Sequence, residues 1–113
     1  MHKNPWNIEI QNKTIDLNQY LNMKNQGLDI VLLDVRTQEE FDELHIKDAI
    51  LFPVLYIESY VEQYFPNKEI TYVIYCRSGV RSHHALKIME NLGYKQVYDM
   101  GGIIEIKDQS MLV

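Results

Sequence analysis

The sequence predicts an α/β domain with a central, mainly parallel sheet of about five strands and helices on both of its faces. Three observations carry this prediction. Ile30-Val31-Leu32-Leu33 and the run Ile70 to Tyr75 are largely continuous apolar segments of strand length, the pattern of parallel strands buried on both faces. Strand-like segments alternate with helical patterns along the chain, as in βαβ units. Right-handed crossovers between such strands place helices on both faces.

The elements follow in order. Trp6, Ile8 and Ile10 alternate with polar residues, which predicts a short edge strand. Thr14 and Asp16 are N-cap types, and Ile15, Leu17, Tyr20, Leu21 and Met23 then fit a helix that stops at Gly27. Leu28 to Val35 is the first central strand. Thr37 is an N-cap with Glu40 at the capping-box position, so a short helix runs through Phe41 to about Leu44. Ala49 to Phe52 is a short strand closed by Pro53. Ile57, Tyr60, Val61 and Tyr64 share one face of a helix over Tyr56 to Tyr64, which Pro66 and Asn67 end. Ile70 to Tyr75 is the second buried strand. Ala85, Met89 and Leu92 form the inner stripe of a helix that begins near Ser82 and is capped by Gly93. Gln96 to Tyr98 is the last strand, and Gly101-Gly102 turns into a final helix from about Ile103.

Length and composition bound the function. A chain of 113 residues suits one domain, 1–113, with one core. A net charge of −5 argues against global attraction to nucleic acid or anionic membranes, so neither is expected as a partner. No apolar run approaches the roughly 18 residues that span a bilayer. One cysteine cannot form an intrachain disulfide, and Met1 to Trp6 lacks the apolar stretch of a signal peptide, so a cytoplasmic location is expected.

That cysteine lies in Cys76-Arg77-Ser78-Gly79-Val80-Arg81-Ser82, between the end of a strand and the start of a helix. A helix N-terminus offers unpaired N–H groups and a partial positive charge, and both favour a thiolate. Arg77 and Arg81 add full charges nearby. Gly79 permits the positive φ that a curled loop needs, so that successive N–H groups point inward as an anion-binding nest. Sites in parallel α/β folds lie at the carboxyl ends of strands. Cys76 and Asp34-Val35-Arg36 both fall there and are expected to share a rim.

These residues, taken in order, make the chain resemble a single-domain rhodanese, a family of sulfurtransferases. The resemblance is carried by Asp34-Val35-Arg36, Glu40-Phe41, His45-Ile46, Ala49, Pro53, the loop Cys76 to Ser82, and Gly101-Gly102, and covers about residues 28–106. It implies a rhodanese-like fold and a sulfane-sulfur transferase. Cys76 would carry a persulfide, Arg77, Ser78, Gly79, Val80, Arg81 and Ser82 would form the substrate loop, and no metal or other cofactor would be needed. The expected partners are a small-molecule donor such as thiosulfate or a persulfide, and a thiol or cyanide acceptor. A sulfur-relay module that hands sulfur from protein to protein is the second reading. A cysteine-dependent phosphatase or arsenate reductase is the third. Cysteine phosphatases use a C-x5-R loop and a histidine before the cysteine, whereas this chain has C-x4-R and Tyr75.

Around the loop, Asp34, Arg36 and Glu40 are expected to be structural, with Glu40 as the partner of Arg36. Arg77 is expected to face substrate. Arg81 either faces substrate or pairs with a carboxylate at the helix start. His45 is expected to be a hydrogen-bonded structural residue, and His83 and His84 to be exposed helix positions rather than zinc ligands. The chain departs from the family pattern at Leu44 and Asp48, where glycines are common, at Ile106, where tryptophan is often found, and at Asp108 to Val113, which lacks a Gly-x-Pro segment. These departures are expected to alter the turn near Asp48 and the packing of the last helix.

Overall fold

Local signals set most element boundaries. The computed structural model of the chain describes residues 13–103 and 109–113. Helix α1 (Leu17–Asn25) opens on Asp16, whose carboxylate accepts from Gln19 N while the Gln19 side chain accepts from Asp16 N, both at 2.8 Å. Strand β1 (Ile30–Asp34) follows, then α2 (Gln38–Glu43). Thr37 and Glu40 form the expected capping box on α2, with Glu40 Oε1 accepting from Thr37 N at 3.0 Å. Next come β2 (Ile50–Leu51), α3 (Val54–Tyr64), β3 (Thr71–Cys76), α4 (Val80–Asn91) and β4 (Gln96–Gly102). A 3-10 turn covers Gln109–Met111.

The four strands form one parallel sheet in the order β2-β1-β3-β4. β3 is central, and all six of its residues are buried. Its side chains alternate between two cores. Tyr72, Ile74 and Cys76 pack with Ile57 and Val61 of α3 and with Ala85, Leu86 and Met89 of α4. Val73 and Tyr75 pack on the opposite face with Tyr20 of α1, Leu32, Ile46 and Ile103. Helices therefore cover both faces, as expected for parallel strands. Among the described residues no helix is long and apolar enough to cross a membrane.

Several expectations are corrected. The described sheet has four strands rather than five. The expected edge strand Trp6 to Ile10 lies outside the described residues, and Thr14 forms an isolated parallel bridge to Asp99. Gly101-Gly102 is not a turn into a helix. Both glycines belong to β4, which bulges so that Tyr75 pairs with Gly101 while Ile74 pairs with Asp99. Asp99 steadies the bulge by accepting from Gly101 N at 2.8 Å. The final helix expected from Ile103 falls largely at residues 104–108, outside the described residues. The tail beyond pairs with the segment after α2: Val113 N donates to His45 O at 2.7 Å, and Lys47 N to Met111 O at 2.7 Å.

Two departures from the family pattern have local explanations. Leu44 has φ −169°, extended backbone that any residue adopts. Asp48 does take the left-handed conformation, at φ 72°, which aspartate tolerates better than most residues. Its carboxylate is held by Lys24 Nζ at 2.6 Å.

Candidate active site

Cys76 is the last residue of β3, and the pleat turns its side chain toward α4. The chain must reverse from strand to helix within the next three residues. Gly79 allows this by adopting φ 103° as the N-cap of α4. Helix α4 thus begins at Val80, two residues earlier than the sequence predicts. The curl aims Gly79 N at Cys76 Sγ, 2.9 Å away. Ser82 Oγ lies 3.6 Å from the sulfur and donates to Gly79 O at 3.1 Å. The single Ser82 hydroxyl proton can serve either the carbonyl or a thiolate.

Burial is the largest single influence on the Cys76 thiol and pushes its pKa up. The Ser82 hydroxyl and the backbone N–H groups of Ser82, Gly79 and Ser78 together outweigh it, and the net direction is down. The leading stabilisers are therefore N–H and O–H groups of the loop, not the two arginines expected from the sequence. Arg81 is held in a two-point ion pair: Nη1 donates to Glu40 Oε1 at 2.7 Å and Nη2 to Glu40 Oε2 at 3.0 Å. Arg77 is exposed and has no ion-pair partner among the described residues. Val80 and Ser78 are also exposed, whereas Ser82 is buried.

The expected Arg36–Glu40 pair does not form. The chain bends at Arg36 just after β1, so that its N–H and its side-chain Nε and Nη2 all turn onto the Asp34 carboxylate, at 3.0 Å, 2.9 Å and 2.7 Å. Glu40, in the first turn of α2, faces α4 instead. Arg36 Nη2 also reaches Leu44 O at 2.6 Å, and Tyr75 OH donates to Asp34 Oδ2 at 2.7 Å. Asp34 and Arg36 thus pair with each other, both buried, rather than with Glu40. His45 is hydrogen-bonded as expected: its Nδ1 lies 2.8 Å from Phe41 O, and its ring stacks on Phe41 at 3.7 Å between centroids. His83 and His84 are exposed.

Gly102 has a role beyond the turn expected of it. A Cβ there would lie 2.5 Å from Arg77 O and 2.9 Å from Ser78 Cα, so the cysteine loop rests directly on the β4 backbone. The double glycine was the signal, because close backbone approach is one of the two common reasons for glycine in a strand. A cleft of about 330 Å3 opens between the segment after β1 (Val35 to Gln38), the start of α3 (Pro53 to Tyr56) and Arg81. A larger cavity of about 440 Å3 beside β2, lined by Tyr56, Tyr60, Tyr64 and Phe65, includes no residue of the cysteine loop.

A buried thiol stabilised as an anion by converging loop donors suits nucleophilic sulfur chemistry. The comparisons with known proteins agree. The family model described as "Rhodanese-like domain" matches residues 16–109. The chain is 31% identical over 74 residues to the thiosulfate sulfurtransferase PspE of Escherichia coli, covering 66% of this chain and 71% of that protein. It is 32% identical over 77 residues to the thiosulfate sulfurtransferase GlpE of Coxiella burnetii, covering 68% and 70%. Among solved structures, the human single-domain sulfurtransferase TSTD1 superposes with a TM-score of 0.70 at 25% identity, over 80% of this chain and 89% of that one. Fold, loop and sequence converge, and the chain belongs to the rhodanese-like domain family and is a sulfurtransferase.

Proposed function

We propose that Cys76 carries sulfane sulfur as a persulfide. The observation that supports this is the convergence of Gly79 N, at 2.9 Å, and the Ser82 hydroxyl on one buried sulfur. The Cys76 thiolate attacks the outer sulfur of a donor such as thiosulfate. The new bond joins Cys76 Sγ to that sulfur, the donor S–S bond breaks, and its electron pair leaves with sulfite. The terminal sulfur of the persulfide then carries a negative charge, which N–H donors of the loop would stabilise. A thiophilic acceptor attacks that terminal sulfur, the Sγ–S bond breaks, and the electron pair returns to Cys76 as thiolate. Cyanide leaves as thiocyanate by this route, and a thiol, free or on a partner protein, leaves as a persulfide.

Arg77 is the exposed cation that can meet the sulfonate end of thiosulfate. The remaining loop residues act through backbone and shape: Ser78, Gly79 and Ser82 supply N–H groups, while Val80 and Arg81 begin the helix that orients them. The cytoplasm, where a lone thiol stays reduced, is the compartment this chemistry suits. Mass spectrometry tests the reading directly. Incubation with thiosulfate should add one sulfur atom to the protein, cyanide should remove it, and Cys76→Ser should never acquire it. Sulfur transfer by the serine variant would overturn the mechanism.

A further inference from the structure

Four charged side chains cluster beside the cysteine loop, and their pairing is selective. Asp34 is committed to Arg36, which is buried with it. Glu40 is committed to Arg81 through both carboxylate oxygens. Arg81 lines the cleft next to the loop, along with Val35, Arg36, Thr37 and Gln38. Its guanidinium is held above its ordinary pKa chiefly by Glu40, with a smaller contribution from Cys76, and Arg81 is the second residue of the helix that the cysteine loop opens. With Glu40 present the four charges sum to zero. Without it, the cleft would carry one net positive charge facing the incoming donor.

We infer that Glu40 is a specificity-determining positioning residue, which neutralises Arg81 in the cleft beside the cysteine loop and so limits the preference for anionic over uncharged reactants. Among the described residues, the ion pair with Arg81 is the link between Glu40 and the cysteine loop. Glu40 acts by setting the orientation and net charge of that arginine. The same carboxylate caps α2 through Thr37, with Oε1 3.0 Å from Thr37 N. A single side chain therefore joins the helix after β1 to the helix after β3. The inference rests on the reading of Cys76 as the reacting sulfur.

Two alkylating agents separate charge selection from everything else. Iodoacetate and iodoacetamide attack a thiolate by the same displacement, but only iodoacetate is an anion. The ratio of their rates at Cys76 reads the local field and does not depend on sulfur transfer. Glutamine at position 40 keeps an acceptor for the capping box, since Gln serves at that position as well as Glu. Glu40→Gln should raise the iodoacetate-to-iodoacetamide ratio by about threefold to tenfold, the scale of one unit charge a few ångströms away with the screening of bulk water. The gain should shrink in high salt. Arg81→Gln alone leaves Glu40 uncompensated and should lower the ratio. The double variant restores neutrality and should return the ratio to that of the unaltered protein.

The kinetic counterpart is a lower KM for thiosulfate in Glu40→Gln with kcat little changed. Equal slowing of both reagents in Glu40→Gln, with no change in their ratio, would show that Glu40 is only a brace. A raised ratio that persists in the double variant would show that Arg81 is not the cation involved. Either result overturns the inference. If Glu40→Gln melts too readily, Arg81→Gln decides alone, since an unchanged ratio there refutes it. Failure of the unaltered protein to take up sulfur from thiosulfate would refute the persulfide reading by a separate measurement.

Discussion

Tyr75 and Cys76 are neighbours on β3, yet their polar atoms lie in opposite kinds of surroundings. The Tyr75 hydroxyl donates to Asp34 Oδ2 at 2.7 Å and accepts from Ile46 N at 3.0 Å. Asp34 also takes Arg36 N at 3.0 Å and the Arg36 side chain. This network closes around the Asp34–Arg36 ion pair, and it ties β1, β3 and the segment after α2 together. Burial and the Asp34 carboxylate push the Tyr75 phenol far above its ordinary pKa, so it stays a neutral donor. On the other face the donors outnumber the acceptor. Loop N–H groups and one hydroxyl converge on a single sulfur and pull its pKa down. A closed network of this kind specifies structure, whereas converging donors favour an anion. One residue of strand, and the change of face it brings, separates the two.

The contrast makes predictions that differ in size and in kind. Asp34→Asn leaves the Arg36 charge buried without its counter-ion. It should cost about 3–5 kcal/mol of stability, read as a lower denaturant midpoint. The folded fraction should alkylate at Cys76 with an unchanged pH midpoint. A shifted midpoint would mean the two faces are coupled and would break the comparison.

Gly102→Ala should have the next largest effect, and on chemistry more than on stability. Its methyl group would collide with Arg77 O and Ser78, so the loop must lift off β4. A displacement of roughly 1 Å can cost about a hundredfold in rate, which sulfur loading from thiosulfate would report. Loading at the normal rate would show that the loop adapts without losing its geometry.

Ser82→Ala should act most mildly. It removes a hydrogen bond that favours the thiolate, so the Cys76 pKa rises from its depressed value. The thiolate fraction at neutral pH then falls, and alkylation slows by up to about tenfold, the effect of one pKa unit. In the unaltered protein the midpoint should lie below the ordinary thiol value of about 8.5. A midpoint that does not move in Ser82→Ala would assign the depression to the backbone N–H groups alone.

Much of the fold was legible because it is encoded within a few residues. The Thr37–Glu40 capping box, the stop at Gly27 and the left-handed Gly79 are local devices, and the structure has each of them where the sequence predicts it. The last strand was less legible. Its extension through Gly102 depends on a bulge opposite Tyr75, and a double glycine in isolation reads equally well as a turn. The pairing of charges was misread for a similar reason. Glu40 lies four residues from Arg36 and 41 from Arg81, and proximity along the chain favoured the wrong arginine.

By itself the sequence determined that β3 would be buried, that a thiol would sit where a strand gives way to a helix, and that the loop could curl around it. Apolar runs, caps and glycines act through neighbours along the chain. Only the tertiary structure decided which arginine would be neutralised, which glycine would carry the loop, and which donors would outweigh the burial of Cys76. Those outcomes depend on segments brought together by the crossovers of the sheet, and side-chain charge has a direction only once both partners are in place.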